Sequence, residues 1–289
     1  MKVKAYTLNS FAKSPEGGNP AGVVLNADAL TEKQMKGIAK TIGFSETAFV
    51  MKSDSADFKV RFFTPNEEVD LCGHATIGTF YTLAVKEIIK PGKYTQETKA
   101  GVLSVEVSED LTVMMDQNTP SYYDIIGKAE IAESLNISVD DIPADLPVQI
   151  VTTGLRDIIV PVNSIETLNS IKPDFEKISD ASRKYNAVGY HVFTTQTLHG
   201  STAHCRNFAP LYAIPEESAT GTSNGALACY LFKYGIIDAG QAGHIVVEQG
   251  YSMNKPSEIL VSLTAKDEEI LRVRVGGKAM NLSEIEVGC

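Results

Sequence analysis

Two stretches of this chain, about half of its 289 residues apart, carry the same punctuation. The first reads Arg61-Phe62-Phe63-Thr64-Pro65, then Val69-Asp70-Leu71-Cys72-Gly73-His74-Ala75-Thr76. The second reads Arg206-Asn207-Phe208-Ala209-Pro210, then Ser218-Ala219-Thr220-Gly221-Thr222-Ser223-Asn224. Both give R-x-F-x-P, a short irregular stretch, and x-G-x-[AS] opening a helix. A repeat at half the chain length implies one folding unit used twice.

The flanks support duplication. After Gly73 and after Gly221 the chain stays almost uncharged for more than three turns, and a helix apolar on every side is buried on every side. Alternating strands follow each: Val102–Val107 in the first half, and Ile245–Glu248 and Ile259–Leu263 in the second. The expected architecture is therefore α+β, with two pseudo-equivalent halves that each wrap a sheet about one central helix. The expected limits are 1–118 for the first half and 119–278 for the second, with 279–289 returning to the first; Asp116–Thr119 and Pro120 mark the junction. Met1–Leu8 reads as a first strand. Thr31 with Gln34 makes a capping box closed by Gly43, and Ser138 with Asp141 a weaker one.

Composition bounds the function. No window is long and apolar enough to span a bilayer, and the N-terminus lacks the pattern of a secretory signal. A formal charge of −10, with no basic stripe, argues against a nucleic-acid partner. Cys72, Cys205, Cys229 and Cys289 show no zinc spacing, and His74, His191, His199, His204 and His244 are scattered, so no metal is expected. So few cysteines fit a reducing compartment, hence a cytoplasmic location.

Each central helix starts at a glycine turn whose first N–H groups have no intrahelical partner, at the positive end of the helix dipole. Paired halves would turn the starts at Gly73-His74 and Gly221-Thr222 toward one crevice with two sets of backbone donors, suited to a carboxylate or a developing enolate. Ordinary glycine turns before buried helices would look the same singly. Two matched turns, opened by His, Thr, Ser and Asn, favour function.

Gly18-Asn19-Pro20-Ala21-Gly22-Val23, Ser45-Glu46-Thr47-Ala48-Phe49, Arg61–Pro65, Asp70–Thr76 and Glu216–Gly225, in that order, resemble the PhzF family of phenazine-biosynthesis isomerase-like proteins, of the diaminopimelate epimerase fold. The resemblance runs through nearly the whole chain. It implies a curved, mostly antiparallel sheet or barrel around each central helix, no metal or organic cofactor, and a homodimer. The fold's epimerases place a cysteine before each helix glycine, and the two thiols work as acid and base. Here Cys72 precedes Gly73 but Thr220 precedes Gly221, and a threonine hydroxyl cannot serve as the second base near neutral pH. The resemblance instead implies a one-base isomerase of a small carboxylate-bearing metabolite, with Glu46 as acid/base and His74 and Glu217 beside it. Shielding by Phe44 and Phe49 would raise the Glu46 pKa toward the working pH. In the second motif Glu217 and Thr222 stand where the related phenazine isomerase has aspartate and serine.

Gly73, Gly221 and Thr222 are expected to bind the substrate anion through backbone N–H groups. Asn19, in a glycine-rich turn, either reaches the cleft or shapes the turn. Cys72 lines the substrate or is reactive, its pKa lowered by the helix start. Cys205, Cys229 and the other histidines read as structural, as do Arg61 and Arg206 in ion pairs. Two alternatives stay open: a racemase or epimerase using Cys72, and a non-catalytic metabolite-binding protein.

Overall fold

A computed structural model describes residues 2–288 of the chain; Cys289 lies outside the described residues. The first stretch runs β1 (Lys2–Ser10), β2 (Asn19–Val24), α1 (Glu32–Ile42), β3 (Thr47–Met51), β4 (Phe58–Phe63), β5 (Glu68–Val69), α2 (Gly73–Val85), β6 (Gly92–Thr98), β7 (Gly101–Val107) and β8 (Val113–Gln117). The second opens with β9 (Ser121–Ile126), α3 (Lys128–Leu135), β10 (Val148–Thr152), β11 (Arg156–Pro161), α4 (Ile165–Ser170), α5 (Phe175–Tyr185), β12 (Gly189–Thr194) and β13 (Ala203–Ala209). It continues with β14 (Ile214–Glu217), α6 (Gly221–Lys233), β15 (Ile245–Gln249), β16 (Ser257–Lys266) and β17 (Glu269–Gly277), and β18 (Ala279–Gly288) follows. The chain divides into two compact units, one of residues up to Asp116 together with those from Gly276 on, the other Gln117–Val275.

The same ladder is built in each unit. In the first, β1 pairs antiparallel with β2, β2 parallel with β3, β3 antiparallel with β4, and β4 with both β5 and the parallel β6, which pairs with β7. In the second, β10, β11, β12, β13, β14, β15 and β16 repeat that sequence of partners and directions. The expected α+β class with a repeated half is thus the observed one. The outer edge of β1 is closed by β18, from the far end of the sequence.

The central helices are buried as their composition requires. Along α2, residues 74–80 are all buried. It lies so close to β1 that a Cβ on Gly78 would stand 3.2 Å from Ser10 Oγ. Its threonines hide their polarity in the helix: Thr76, Thr79 and Thr82 each donate to the carbonyl four residues earlier. In α6 every residue from Ser223 to Leu231 is buried. Against the outer faces pack the amphipathic helices. α1 turns Met35, Ile38 and Ala39 inward, with the Thr31–Gln34 capping box at its start and left-handed Gly43 at its end. In the second unit α3, α4 and α5 contribute Ile131, Leu135, Leu168 and Ile178 to a core shared with Ile150, Ile158 and Tyr190.

The repeated R-x-F-x-P motif makes the same clamp twice. Arg61 donates from Nε and Nη2 to the two carboxylate oxygens of Glu68 at 2.7 and 2.8 Å. Arg206 does so to Glu216 at 2.9 and 2.9 Å, and adds bonds to the carbonyls of Leu168 and Ile171. Each guanidinium lies over the phenylalanine two residues on, at 5.0 Å for Phe63 and 4.9 Å for Phe208. The clamps tie β4 to β5 and β13 to β14, and so fix the segments that lead into α2 and α6.

Candidate active site

The first unit gathers four of the expected site residues around one ring. His74, second residue of α2, is buried. Its backbone carbonyl receives a 2.6 Å bond from Ser10 Oγ, which anchors the helix start to the end of β1. Ring Nε2 lies 3.2 Å from Glu46 Oε2 and 3.4 Å from Ser45 Oγ. Nδ1 lies 3.4 Å from Asn19 Nδ2 and 3.5 Å from Cys72 Sγ. Glu46, in the bend before β3, has a side chain 17% exposed, so it is neither a surface strand residue nor sealed from ligands. The His74 contact is not aligned as a hydrogen bond, and Oε2 has no hydrogen-bond partner.

Asn19 differs from the expected turn. It is the first residue of β2, paired with Ser10, and its buried amide faces the His74 ring. The turn proper ends at Gly18, whose φ of 86° is open to glycine at little cost.

Electrostatics reverse two expectations. Burial alone would push Glu46 up, but His74, with Ser45 and Cys72, outweighs it and holds the carboxyl below its ordinary value. For His74 burial opposes the charge, and the Cys72 sulfur and the Glu46 carboxylate overcome it, raising the imidazole well above its usual value. Both shifts favour the charged forms, carboxylate and imidazolium. Cys72 is pushed up, first by burial and then by the Glu46 charge. The lowering expected of a helix start is thus overcome, and the sulfur stays a thiol. No side chain caps α2 at Cys72, so its first N–H groups remain available to an anion. Glu46, Cys72 and His74 also bring one ligand atom each within 4.8 Å of one another, a set chemically able to hold a soft divalent ion.

The second unit places Glu217, Gly221 and Thr222 at the start of α6. Thr220 Oγ1 donates to Glu217 Oε2 at 2.7 Å, and Gln249 Nε2 donates to the Glu217 carbonyl at 2.8 Å. Gln249 Oε1 receives both the Thr220 N–H and Asn224 Nδ2. Asn224 Oδ1 faces His191 Nε2 at 3.2 Å, and Asn207 Nδ2 reaches His191 Nδ1 at 3.0 Å. With Asn207 donating, His191 carries its proton on Nε2, and burial lowers its pKa to about 4. Thr222 is half-buried, its carbonyl 3.3 Å from Thr153 Oγ1. These bonds fix the backbone of the turn at Gly221. Sequence reasoning passed over Ser10, Gln249 and Asn207; only the polarity of Asn207, where the first repeat has Phe62, signalled it.

A repeated α+β unit whose buried helix start joins carboxylate, imidazole and thiol defines a class of proteins equipped for proton transfer on small molecules. The family model described as "Phenazine biosynthesis-like protein" matches residues 8–284, and the chain belongs to that family. It is 34% identical to the uncharacterized isomerase YfhB of Bacillus subtilis, covering 96% of each chain. It is 29% identical to the trans-2,3-dihydro-3-hydroxyanthranilate isomerase of Pseudomonas fluorescens, over 94% of this chain and 95% of the relative. The crystal structure of the Bacillus anthracis PhzF-family phenazine biosynthesis protein superposes with a TM-score of 0.91 at 33% identity, covering 100% of both chains.

Proposed function

We propose that the chain is a cofactor-independent isomerase that moves one proton on a small carboxylate-bearing metabolite, with Glu46 as its acid/base. The observation that carries this is the half-shielded Glu46 carboxylate, with one oxygen lacking a hydrogen-bond partner and the His74 ring Nε2 3.2 Å away. Glu46 takes a proton from a substrate carbon and becomes neutral. The electron pair left behind delocalises toward the substrate's unsaturated group, and the His74 charge stabilises it. Glu46, its proton open to exchange with solvent while the intermediate lasts, then returns a proton to a second carbon on the same face, so the product is a double-bond isomer. Asn19, Cys72 and the N–H groups at Gly73 position the substrate. Relatives named as isomerases support the reading.

In deuterium oxide, the chain should exchange a carbon-bound proton of its substrate, and the dihydro-hydroxyanthranilate acted on by the Pseudomonas relative is the first compound to try. Glu46→Gln should abolish exchange while leaving circular dichroism and melting unchanged; full exchange in that variant refutes the assignment. A racemase using Cys72 is the second reading, motivated by its 3.5 Å approach to His74; normal turnover in Cys72→Ala removes it. Binding without exchange would favour a carrier. With the main reading goes a cytoplasmic homodimer, supported by the family resemblance; separately, no helix among the described residues is long and apolar enough to cross a membrane. Light scattering on the purified chain tests the dimer.

A further inference from the structure

Both central helices have a carboxyl beside their first turn, half-shielded in the first unit and buried in the second, but it comes from different places in the ladder. Phe49 of β3 pairs with Arg61, and Val192 of β12 pairs with Arg206. Gly189, three residues before Val192, therefore stands where Glu46 stands in the first unit. No side chain fits there, because a Cβ on Gly189 would lie 1.9 Å from the Phe208 carbonyl oxygen. The adjacent strand supplies the acid instead. On β2, Ala21 lies beside Glu46, one step from the Gly22–Thr47 pair; on β11 its counterpart is Asp157, paired with Gly189.

Asp157 is only 2% exposed. Ser223, in the first turn of α6, bonds its carboxyl, and Ser223 Oγ in turn lies 3.2 Å from Asn207 Nδ2, itself fixed by His191. Because Asn207 can only donate from that nitrogen, the serine proton is left for Asp157. The second oxygen, Oδ2, is buried with no hydrogen-bond partner, as Oε2 of Glu46 is. No cation faces it. Arg156 is turned to the Tyr123 ring at 4.1 Å, His191 is neutral, and the charge acting on Asp157 is that of Glu217, of like sign. A carboxylate here would be buried, unpaired and repelled, so the acid form is favoured. Burial accordingly pushes Asp157 up to about 7. An acid O–H that is buried with nothing to receive its proton is itself costly, and a bound anion would remove that cost.

We propose that Asp157 is a second functional carboxyl, a carboxylic acid that donates its O–H to an anionic oxygen, carboxylate or enolate, of the ligand received at the first turn of α6. It rests on the reading of that turn as an anion site. Where two carboxyls of one protein are driven to opposite protonation states, the neutral one takes the donor role.

Calorimetric titration of the whole chain with a panel of small carboxylates (acetate, maleate, benzoate, 3-hydroxyanthranilate) tests it. At least one should bind, and at least tenfold more weakly at pH 8.5 than at pH 6, as the acid is lost. Asp157→Asn keeps a neutral donor, so its affinity should stay within about threefold of the wild-type pH 6 value at both pH values. Asp157→Ala should lose tenfold or more at pH 6. Binding by no member of the panel, wild-type affinity in Asp157→Ala, or pH-independent wild-type binding overturns the proposal. If Asp157→Ala fails to fold, the wild-type pH dependence and Asp157→Asn still decide. Deuterium exchange by Glu46→Gln speaks to the isomerase reading alone, so the failure of either idea shows without the other.

Discussion

At the scale of single residues, several neighbours together can outweigh burial in setting a protonation state. The phenylalanines near Glu46 in sequence suggested shielding and hence a raised pKa. The structure adds a charged partner 28 positions away, His74, and the sign reverses. No local pattern in the sequence carries that information. With the imidazole replaced in His74→Asn, burial should dominate and the Glu46 pKa should rise, moving the acid limb of the exchange-rate profile to higher pH; an unmoved limb would show that the ring does not set the base. Asp157 behaves oppositely. Its folded pKa of about 7 lies above the ordinary 3.8, so its contribution to wild-type stability falls as pH rises from about 4 to 7 and is flat beyond. Asp157→Asn lacks this loss, and its stability relative to wild type should grow across that window by a few kcal/mol at most. Urea unfolding at pH 5 and pH 8 measures it.

At the scale of elements, caps and clamps were the legible part. Thr31, Gln34 and Gly43 announced α1, and the box is formed with the Thr31 N–H 2.9 Å from Gln34 Oε1. Thr31→Ala should cost about 1 kcal/mol in chemical denaturation. The repeated arginines were read as structural ion pairs, and both are bidentate. They differ in the charge left behind: Glu68 keeps Lys99 Nζ at 2.7 Å, whereas no second cation pairs with Glu216 among the described residues. Removing one member of a buried pair strands the other charge. Arg206→Met should therefore cost about 3 to 5 kcal/mol, and Arg61→Met clearly less, by the same measurement. What stayed hidden were contacts made across elements, such as Ser10 on the His74 carbonyl. Nothing in a strand-ending serine says which helix it will tether.

At the scale of the whole molecule, duplication was visible because glycine turns and the clamp motif must recur wherever the backbone recurs. The strand pairings repeat in order and direction. The side chains that do chemistry repeat less well, since the second unit offers Gly189 where the first offers Glu46 and takes its acid from the next strand. Substitution at equivalent places erased that likeness from the sequence, and only the register of β11 against β12 restores it. The first unit also depends on a distant partner, β18, whose residues pair along nearly all of β1. A chain ending at residue 275 should lose amide-exchange protection in β1 and β2 while β10–β13 stay protected. Equal protection in both sets would contradict the pairing.

That last strand also imposes an order on biosynthesis. Within residues 117–275, strands β9–β16 carry one another's partners, whereas β1 meets β18 only after some 270 further residues have been made. A product cut off before β18 would thus carry Glu46 and His74 on a scaffold whose β1 edge is left unpaired.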